Sequence, residues 1–286
     1  MWGLFPLYWP LLKPAGAVEI LAHRIVWSLV ATAVLIVVLN RRSRLKAVLA
    51  TPRTRVILAI AAVVITVNWG TYIWGVNNDH VVEASLGYFI NPLVTVMMGV
   101  LVLGERLRRL QWVAMGIATV AVVGLTIEYG RPPWVALILA FSFGTYGLAK
   151  KKANTGAVES LTVETLVLTP VALVYLLWLM GQGTATFGYQ GAGHVALMMG
   201  TGVVTAIPLI CFGASATRVS MTTLGMLQYL APTIQFALGV FLFHEPMPAL
   251  RWAGFALVWV ALAIFTFETV NHRRRQLRLS VEASAI

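Results

Sequence analysis

The stretch VILAIAAVVITVNWGTYIWGV, residues 56–76, contains 21 residues and no charged side chain. As an α-helix rising 1.5 Å per residue it is about 32 Å long, which matches the hydrocarbon thickness of a bilayer. A helix is the expected form because it satisfies its own backbone hydrogen bonds where lipid offers no partner. Residues 56–76 therefore predict a transmembrane helix.

Similar apolar segments recur along the whole chain, of which 59% is hydrophobic and 11% is charged. Soluble domains carry about 25% charged residues, so this composition excludes an ordinary soluble protein. The first segment has 12 residues, or about 18 Å of helix, which is too short to span a bilayer. We predict an all-α, polytopic membrane protein of about ten transmembrane helices. The segments are residues 1–12, 20–39, 56–76, 82–103, 111–128, 133–149, 160–180, 194–215, 220–243 and 250–270.

Lysine and arginine residues collect in alternate connections between these segments. Seventeen lie on one side, three lie on the other (Lys13, Arg131 and Arg251), and Arg24 lies within the second segment. Cationic loops stay in the cytoplasm, so this pattern predicts a multi-pass protein of the bacterial cytoplasmic membrane with both termini cytoplasmic. The net charge of +11 then reflects topology, and no nucleic-acid partner is expected.

The two halves of the chain match at a constant offset of 140 residues. Five segments per half is an odd number, so the second half would enter the membrane from the opposite side. This predicts two inverted five-helix repeats, residues 1–130 and 131–270, followed by a basic tail at 271–286. Inverted repeats are typical of secondary transporters, which expose a midplane site to each face in turn. The matched pairs are Pro92 and Pro232, Gly99 and Gly239, Glu105 and Glu245, Trp112 and Trp252, and Glu128 and Glu268.

Four motifs resemble a known family: WGLFPLYW (residues 2–9), AHRIVWS (22–28), NWGTYIWGVNNDHVVEASLGYFINPL (68–93) and GERL (104–107). On these motifs the chain resembles the drug/metabolite transporter superfamily, in its EamA family, and most closely the RarD-type permeases. The resemblance extends over essentially the whole chain and implies ten helices, two EamA repeats and a small-molecule permease that acts as an exporter. Proteins of this type carry further residues ahead of the WGLF motif, so a shortened first helix is expected.

The second segment contains an ionisable residue that is costly to place in a membrane. Arg24 lies a few residues into the segment, beside His23 and Trp27. An ionisable residue within a span is a candidate for function because its insertion costs a few kcal/mol. The alternative is that Arg24 reaches the outer interface, where Glu19 helps to neutralise it. We keep His23, Arg24 and Trp27 as candidate substrate-binding residues.

The third segment contains a dense polar and aromatic cluster. Asn68 and Tyr72 are four residues apart and share one helix face, with Trp69 between them. Aromatic residues near a membrane boundary are commonly interface anchors, but Asn68 is too deep for that role. Asn68, Trp69 and Tyr72 are therefore added to the candidate substrate-binding residues.

The fourth and ninth segments each contain a proline preceded by polar side chains. A proline removes a backbone donor and kinks a helix, which frees carbonyl groups for a polar substrate. Equivalent kinks in the two halves suit a midplane site, although such residues also set helix packing alone. The candidates are Tyr88 and Asn91 before the kink at Pro92, and Gln228 and Tyr229 before the kink at Pro232.

The remaining titratable residues suggest no metal or cofactor site. We expect Glu105 and Glu245, at the ends of their segments, to pair with nearby cations, and Glu164 is a weaker candidate for a proton relay. Cys211 and scattered histidines do not provide a metal-ligand set. The histidines at or beyond segment ends, expected to be solvated, are His80, His194, His244 and His272.

Catalytic signatures such as HExxH, GxSxG and a Gly-rich phosphate loop are absent from the sequence. The leading hypothesis is a secondary transporter of small metabolites or drug-like molecules. The alternative is a membrane-embedded enzyme acting on a lipid-linked substrate, which would need clustered acids or histidines at one face. A receptor or scaffold would need larger loops. The expected partners are a small-molecule substrate, the lipid bilayer and a proton as coupling ion, and a homodimer is left open.

Overall fold

The computed structural model describes residues 1–77, 81–129, 132–242 and 249–284, and within these ranges the chain is helical and forms no strand. The first twelve residues form three short helices in succession. They are a 3₁₀-helix at Trp2–Leu4, α1 at Phe5–Tyr8 and a second 3₁₀-helix at Trp9–Leu12. We call residues 2–12 the N-terminal segment.

Most of the remaining helices are long and apolar. They are α2 Ala17–Val38, α3 Arg42–Ala50, α4 Pro52–Asn77, α5 Val81–Leu103, α6 Arg109–Tyr129, α7 Trp134–Ala153, α8 Ala157–Gly181, α9 Ala192–Arg218, α10 Met221–Gln228, α11 Leu230–Ala237 and α12 Ala249–Ser284. Eight stretches of the described chain are long and apolar enough to cross a membrane: α2, α4, α5, α6, α8, α9, α10 with α11, and α12. The chain is therefore a multi-pass membrane protein. Ten spans would require the N-terminal segment and α7 as well.

Helices in the two halves begin at positions that differ by 140 residues. Three pairs of helices at equivalent sequence positions also pack against each other: α2 contacts α8, α5 contacts α10 and α6 contacts α12. The paired first residues are Ala17 and Ala157, and Pro52 and Ala192.

Two apolar cores hold the helices together. One core lies among α5, α6, α10 and α12 and includes Phe89 and Val258. The other lies among α2, α4, α7, α8 and α9 and includes Phe212. Small residues allow close contacts: a Cβ on Gly202 would lie 2.3 Å from the carbonyl carbon of Trp27, so α9 and α2 touch backbone to backbone. Such contacts are the usual way in which helices associate in lipid.

A buried ion pair joins α7 to α8. The ammonium group of Lys150 lies 2.5 Å from a carboxylate oxygen of Glu164, and both side chains are 2% exposed. The carboxylate also accepts a hydrogen bond from the Tyr146 hydroxyl at 2.9 Å, and Ser160 completes the cluster. The predicted segment 133–149 ends before Lys150, but α7 continues to Ala153 and carries this lysine into the helix interface.

Two residues at the other end of the bundle also differ from expectation. Glu19 is buried and accepts hydrogen bonds from the backbone N–H groups of Thr186 at 2.8 Å and Phe187 at 3.2 Å. It therefore holds the connection after α8 and does not neutralise Arg24. His194, expected to be solvated, is buried against the carbonyl of Leu12 at 3.0 Å. His80, His244 and Glu245 lie outside the described residues.

Glu105 binds the start of a helix from the other half of the chain. Its carboxylate accepts hydrogen bonds from the backbone N–H groups of Met221 at 2.7 Å and Thr222 at 2.9 Å, and from the Thr222 hydroxyl at 2.7 Å. The nearest cation, Lys151, is 4.0 Å away. The expected pairing with a cation is therefore secondary. A carboxylate is favoured here because the first N–H groups of a helix have no helical acceptor.

Replacing Glu105 with alanine should destabilise the protein by about 2–3 kcal/mol, because three donors lose a charged acceptor. Thermal unfolding in detergent measures the effect, and Glu105→Gln should be intermediate. Ser220→Ala is the matched control, since Ser220 caps the same helix through an exposed hydrogen bond to Thr223. Equal destabilisation by the alanine variants at 105 and 220 would contradict the role given to the carboxylate.

Candidate functional site

A cavity of about 260 Å³ lies between the two halves of the chain. The N-terminal segment, α2, α4 and α5 contribute its walls from the first half, and α7, α9, α10 and α11 contribute from the second. Ligand pockets commonly have volumes of about 300–1,000 Å³, so this one suits a small molecule. Seven of the ten predicted substrate-site residues line it: Arg24, Asn68, Trp69, Tyr72, Tyr88, Asn91 and Gln228.

Arg24 places a guanidinium group in the cavity wall. Its Nε donates a hydrogen bond to the Thr205 hydroxyl at 2.9 Å. The guanidinium carbon lies 4.8 Å from the ring centre of Trp9 and 4.9 Å from that of Trp69. A cation over a ring face is stabilised by about 0.5–2 kcal/mol. The two indoles therefore orient Arg24 in the cavity wall, and Glu19, which binds backbone N–H groups, does not neutralise it.

Two side-chain amides meet across the boundary between the halves. The Asn91 amide nitrogen donates to the Gln228 carbonyl oxygen at 2.6 Å. The Asn91 carbonyl oxygen and the Gln228 amide nitrogen are buried and have no hydrogen-bond partner among the described residues. If both amides were turned over, one donor and one acceptor would still remain. A polar ligand in the cavity can supply both missing bonds.

The two prolines affect their helices differently. Helix α5 runs without interruption through Pro92. The ninth segment instead divides at Tyr229, where α10 ends and α11 begins, three residues before Pro232. A proline cannot donate to the carbonyl four residues earlier, and these carbonyls belong to Tyr88 and Gln228. Both residues line the cavity and are separated by the repeat offset of 140.

Asn68 lines the cavity but is engaged in helix packing. Its amide nitrogen donates to the Leu139 carbonyl and to the Ser142 hydroxyl, each at 2.9 Å. These bonds join α4 to α7. Tyr72, one turn further along α4, has its ring centre 6.2 Å from that of Tyr88, so the two phenols form one side of the cavity.

Three predicted site residues lie outside the cavity lining. The ring of His23 lies 4.5 Å from that of Phe187, and the ring of Trp27 lies 6.3 Å from it, so both support the connection after α8. Tyr229 is fully buried, and its hydroxyl donates to the Phe89 carbonyl at 3.2 Å. Its role in the described structure is to hold α10 and α11 against α5.

The structure also places residues in the cavity that the sequence analysis missed. The aromatic N-terminal motif signalled three of them, because the resemblance drew attention to it without assigning it a role. Thr205 and Gln235 carry no comparable signal, since single polar residues in apolar helices are common. The missed lining residues with polar or aromatic side chains are Trp2, Phe5, Trp9, Phe143, Thr205 and Gln235.

Within the described ranges, no three histidine, cysteine, aspartate or glutamate side chains are grouped so that they could hold a metal ion. The carboxylates that are described lie in other places. Glu19 binds backbone N–H groups, Glu105 binds α10, Glu159 pairs with Arg41 at 3.3 Å and Glu164 pairs with Lys150. The cavity lining includes no carboxylate among the described residues.

Comparison with known proteins gives consistent matches over the whole chain. Residues 1–127 and 132–267 each match the EamA-like transporter family. Protein RarD of Streptomyces exfoliatus is 60% identical over 285 residues, which cover 100% of this chain and 90% of the relative. An uncharacterized transporter of Bacillus subtilis (strain 168) is 43% identical over 277 residues, covering 96% and 92%.

A solved crystal structure shares the fold. It aligns with a TM-score of 0.72 over 93% of each chain at 17% sequence identity, which supports the fold alone. The relatives are named as transporters or as RarD proteins, so the chain is grouped with transporters and not with enzymes.

Proposed function

This chain belongs to the EamA-like transporter family, and on that basis we propose that it is a secondary transporter of small molecules that works by alternating access around the cavity. The observation that carries the proposal is the amide pair of Asn91 and Gln228. It joins the two halves of the chain at the cavity and leaves one donor and one acceptor without partners among the described residues. A site shared by two halves is the arrangement that rocking of one half against the other requires.

We propose that the fold consists of two inverted repeats, residues 1–130 and 131–270, with the tail at 271–286. The equal offsets of the helix starts and the packing of equivalent helices support this division. With α7 and the shortened N-terminal segment counted as membrane segments, each repeat has five. The excess of cations on one side supports a cell-membrane protein with both termini in the cytoplasm.

In this orientation the cytoplasmic ends of α5 and α10 are closed against each other. A Cβ on Gly225 would lie 2.7 Å from the Pro92 carbonyl oxygen, and a Cβ on Gly99 would lie 2.7 Å from the Met221 Cβ. The cavity lies on the other side of these contacts, and Arg24 and Tyr72 in its wall belong to the outer parts of α2 and α4. Transport would require α5 and α10 to separate. The proposed direction is export, with a proton as coupling ion.

The test is flux in proteoliposomes with and without an imposed proton gradient, using labelled amino acids and aromatic carboxylic acids. Removing either amide should lower flux about tenfold, because each substitution deletes a hydrogen bond worth about 1–1.5 kcal/mol. The variants are Asn91→Ala and Gln228→Ala, and Gln182→Ala, at the exposed end of α8, is the matched control. Substrate flux that is equal in all three variants would remove the cavity from the transport path.

A further inference from the structure

We infer that the cavity binds substrates through an anionic carboxylate, which pairs with the guanidinium group of Arg24. The inference rests on the proposed transport function and names the chemical class of its substrate. Its first basis is the hydrogen bonding of Arg24. Nε is bonded to Thr205, but among the described residues neither Nη nitrogen has an acceptor. A guanidinium group presents its Nη donors as a planar fork, which fits a carboxylate with two parallel bonds.

The charge of the cavity wall is the second basis. Arg24 is a full positive charge within a membrane span, and among the described residues no carboxylate lies within ion-pair distance of it. Among the described residues that line the cavity, no other is charged. The indole faces of Trp9 and Trp69 stabilise the cation without neutralising it. A charge left unpaired in low dielectric is costly, and an anionic ligand would remove that cost.

The other lining residues indicate the chemical character of the rest of the ligand. Phe143, Leu139 and Leu209 provide apolar surface, and the ring of Trp2 lies 5.3 Å from that of Phe143 in an edge-to-face arrangement. A flat aromatic or aliphatic body fits such walls. Among the described lining residues no acid is present to hold a cationic amine beside Arg24, so this part of the wall favours anions over cations by charge.

The probes for the test are phenylacetate, phenylacetamide and phenethylamine, which share one ring and differ in the head group. Binding to the full chain in lipid nanodiscs is measured by titration calorimetry. Phenylacetate should bind about tenfold more tightly than its neutral isostere phenylacetamide, and phenethylamine should not bind, because hydrogen bonds between ions are about twice as strong as neutral ones.

Substitutions at Arg24 distinguish an effect of its charge on binding from an effect on folding. Arg24→Gln should bring phenylacetate to within about twofold of phenylacetamide, and Arg24→Lys should keep part of the preference, since it keeps the charge but loses the fork. Lys13→Gln is the matched control for long-range attraction, because Lys13 is exposed and lies outside the cavity. It should leave the preference unchanged.

Several results would overturn the inference. They are equal or tighter binding of phenylacetamide or phenethylamine, a preference for phenylacetate that survives in Arg24→Gln, and failure of all three probes to bind. Failure of the transport proposal itself has a different signature, which is substrate flux that is unchanged in Asn91→Ala and Gln228→Ala. The opposite case, in which only the inference fails, is also distinguishable. Flux of a neutral or cationic compound that is lost in Asn91→Ala but kept in Arg24→Gln would leave the transporter standing and reject the anion.

Discussion

Oxidation of a Gly99→Cys, Met221→Cys double variant should abolish transport, and reduction should restore it. A Cβ on Gly99 would lie 2.7 Å from the Met221 Cβ, whereas a disulfide needs about 3.5–4.5 Å between Cβ atoms. The helices would therefore separate by about 1 Å to admit the bond and would then be joined at their cytoplasmic ends. If substrate enters or leaves by separation of α5 and α10, the loss of flux in the cross-linked protein should be complete.

The experiment is best done in a Cys211→Ser background, because Cys211 is an exposed free thiol. The reduced double variant and the oxidised Gly99→Cys single variant are the controls, since the new side chain at position 99 also approaches Glu105. Flux in proteoliposomes is compared with the cross-linked fraction on a gel. Undiminished flux in fully cross-linked protein would show that these helix ends need not separate. The proposal that α5 and α10 open during alternating access would then be wrong.

Removing one partner of the buried pair of Lys150 and Glu164 should be the most damaging single change to stability. Lys150→Met leaves the Glu164 carboxylate buried with Tyr146 and Ser160 but without its cation. Breaking a buried pair in this way costs about 3–5 kcal/mol. Thermal unfolding in detergent should show the loss, and Glu164→Met alone should show a similar one.

The double variant Lys150→Met, Glu164→Met should recover most of that stability, because no buried charge is left unpaired. Losses that simply add in the double variant would show that the two groups are not coupled. The double variant also tests the prediction that Glu164 relays protons. If the stable double variant retains flux driven by a proton gradient, then Glu164 is not the coupling group.

The apolar segments were predictable because a span in lipid must consist of predominantly apolar residues, and this requirement is visible in the local sequence. Their hydropathy predicted about ten spans, and eight stretches of the described chain are long and apolar enough to cross a membrane. The end of α7 was not predictable in the same way. Three lysines in succession are typical of a loop, and only the partner on α8 explains why Lys150 is inside the helix interface.

The candidate site shows the same division between local and tertiary information. Arg24 and Asn91 were identified because a charged or amide group in an apolar segment is unusual. Thr205 was missed because its importance comes from the guanidinium group that it contacts, 181 residues away in the chain. Glu105 was identified, but its main partner was missed, since a helix that begins 116 residues later cannot be found from local spacing.

The unpaired guanidinium group of Arg24 has an electrical consequence. If an anion neutralises it, the empty site carries one positive charge and the loaded site carries none. A membrane voltage then does work on the return of the empty carrier, up to about 2.3 kcal/mol for each 100 mV if the charge crosses the whole field. With the cell interior negative, that work draws the empty site inward, where it can load again, so the voltage itself favours outward movement of the anion.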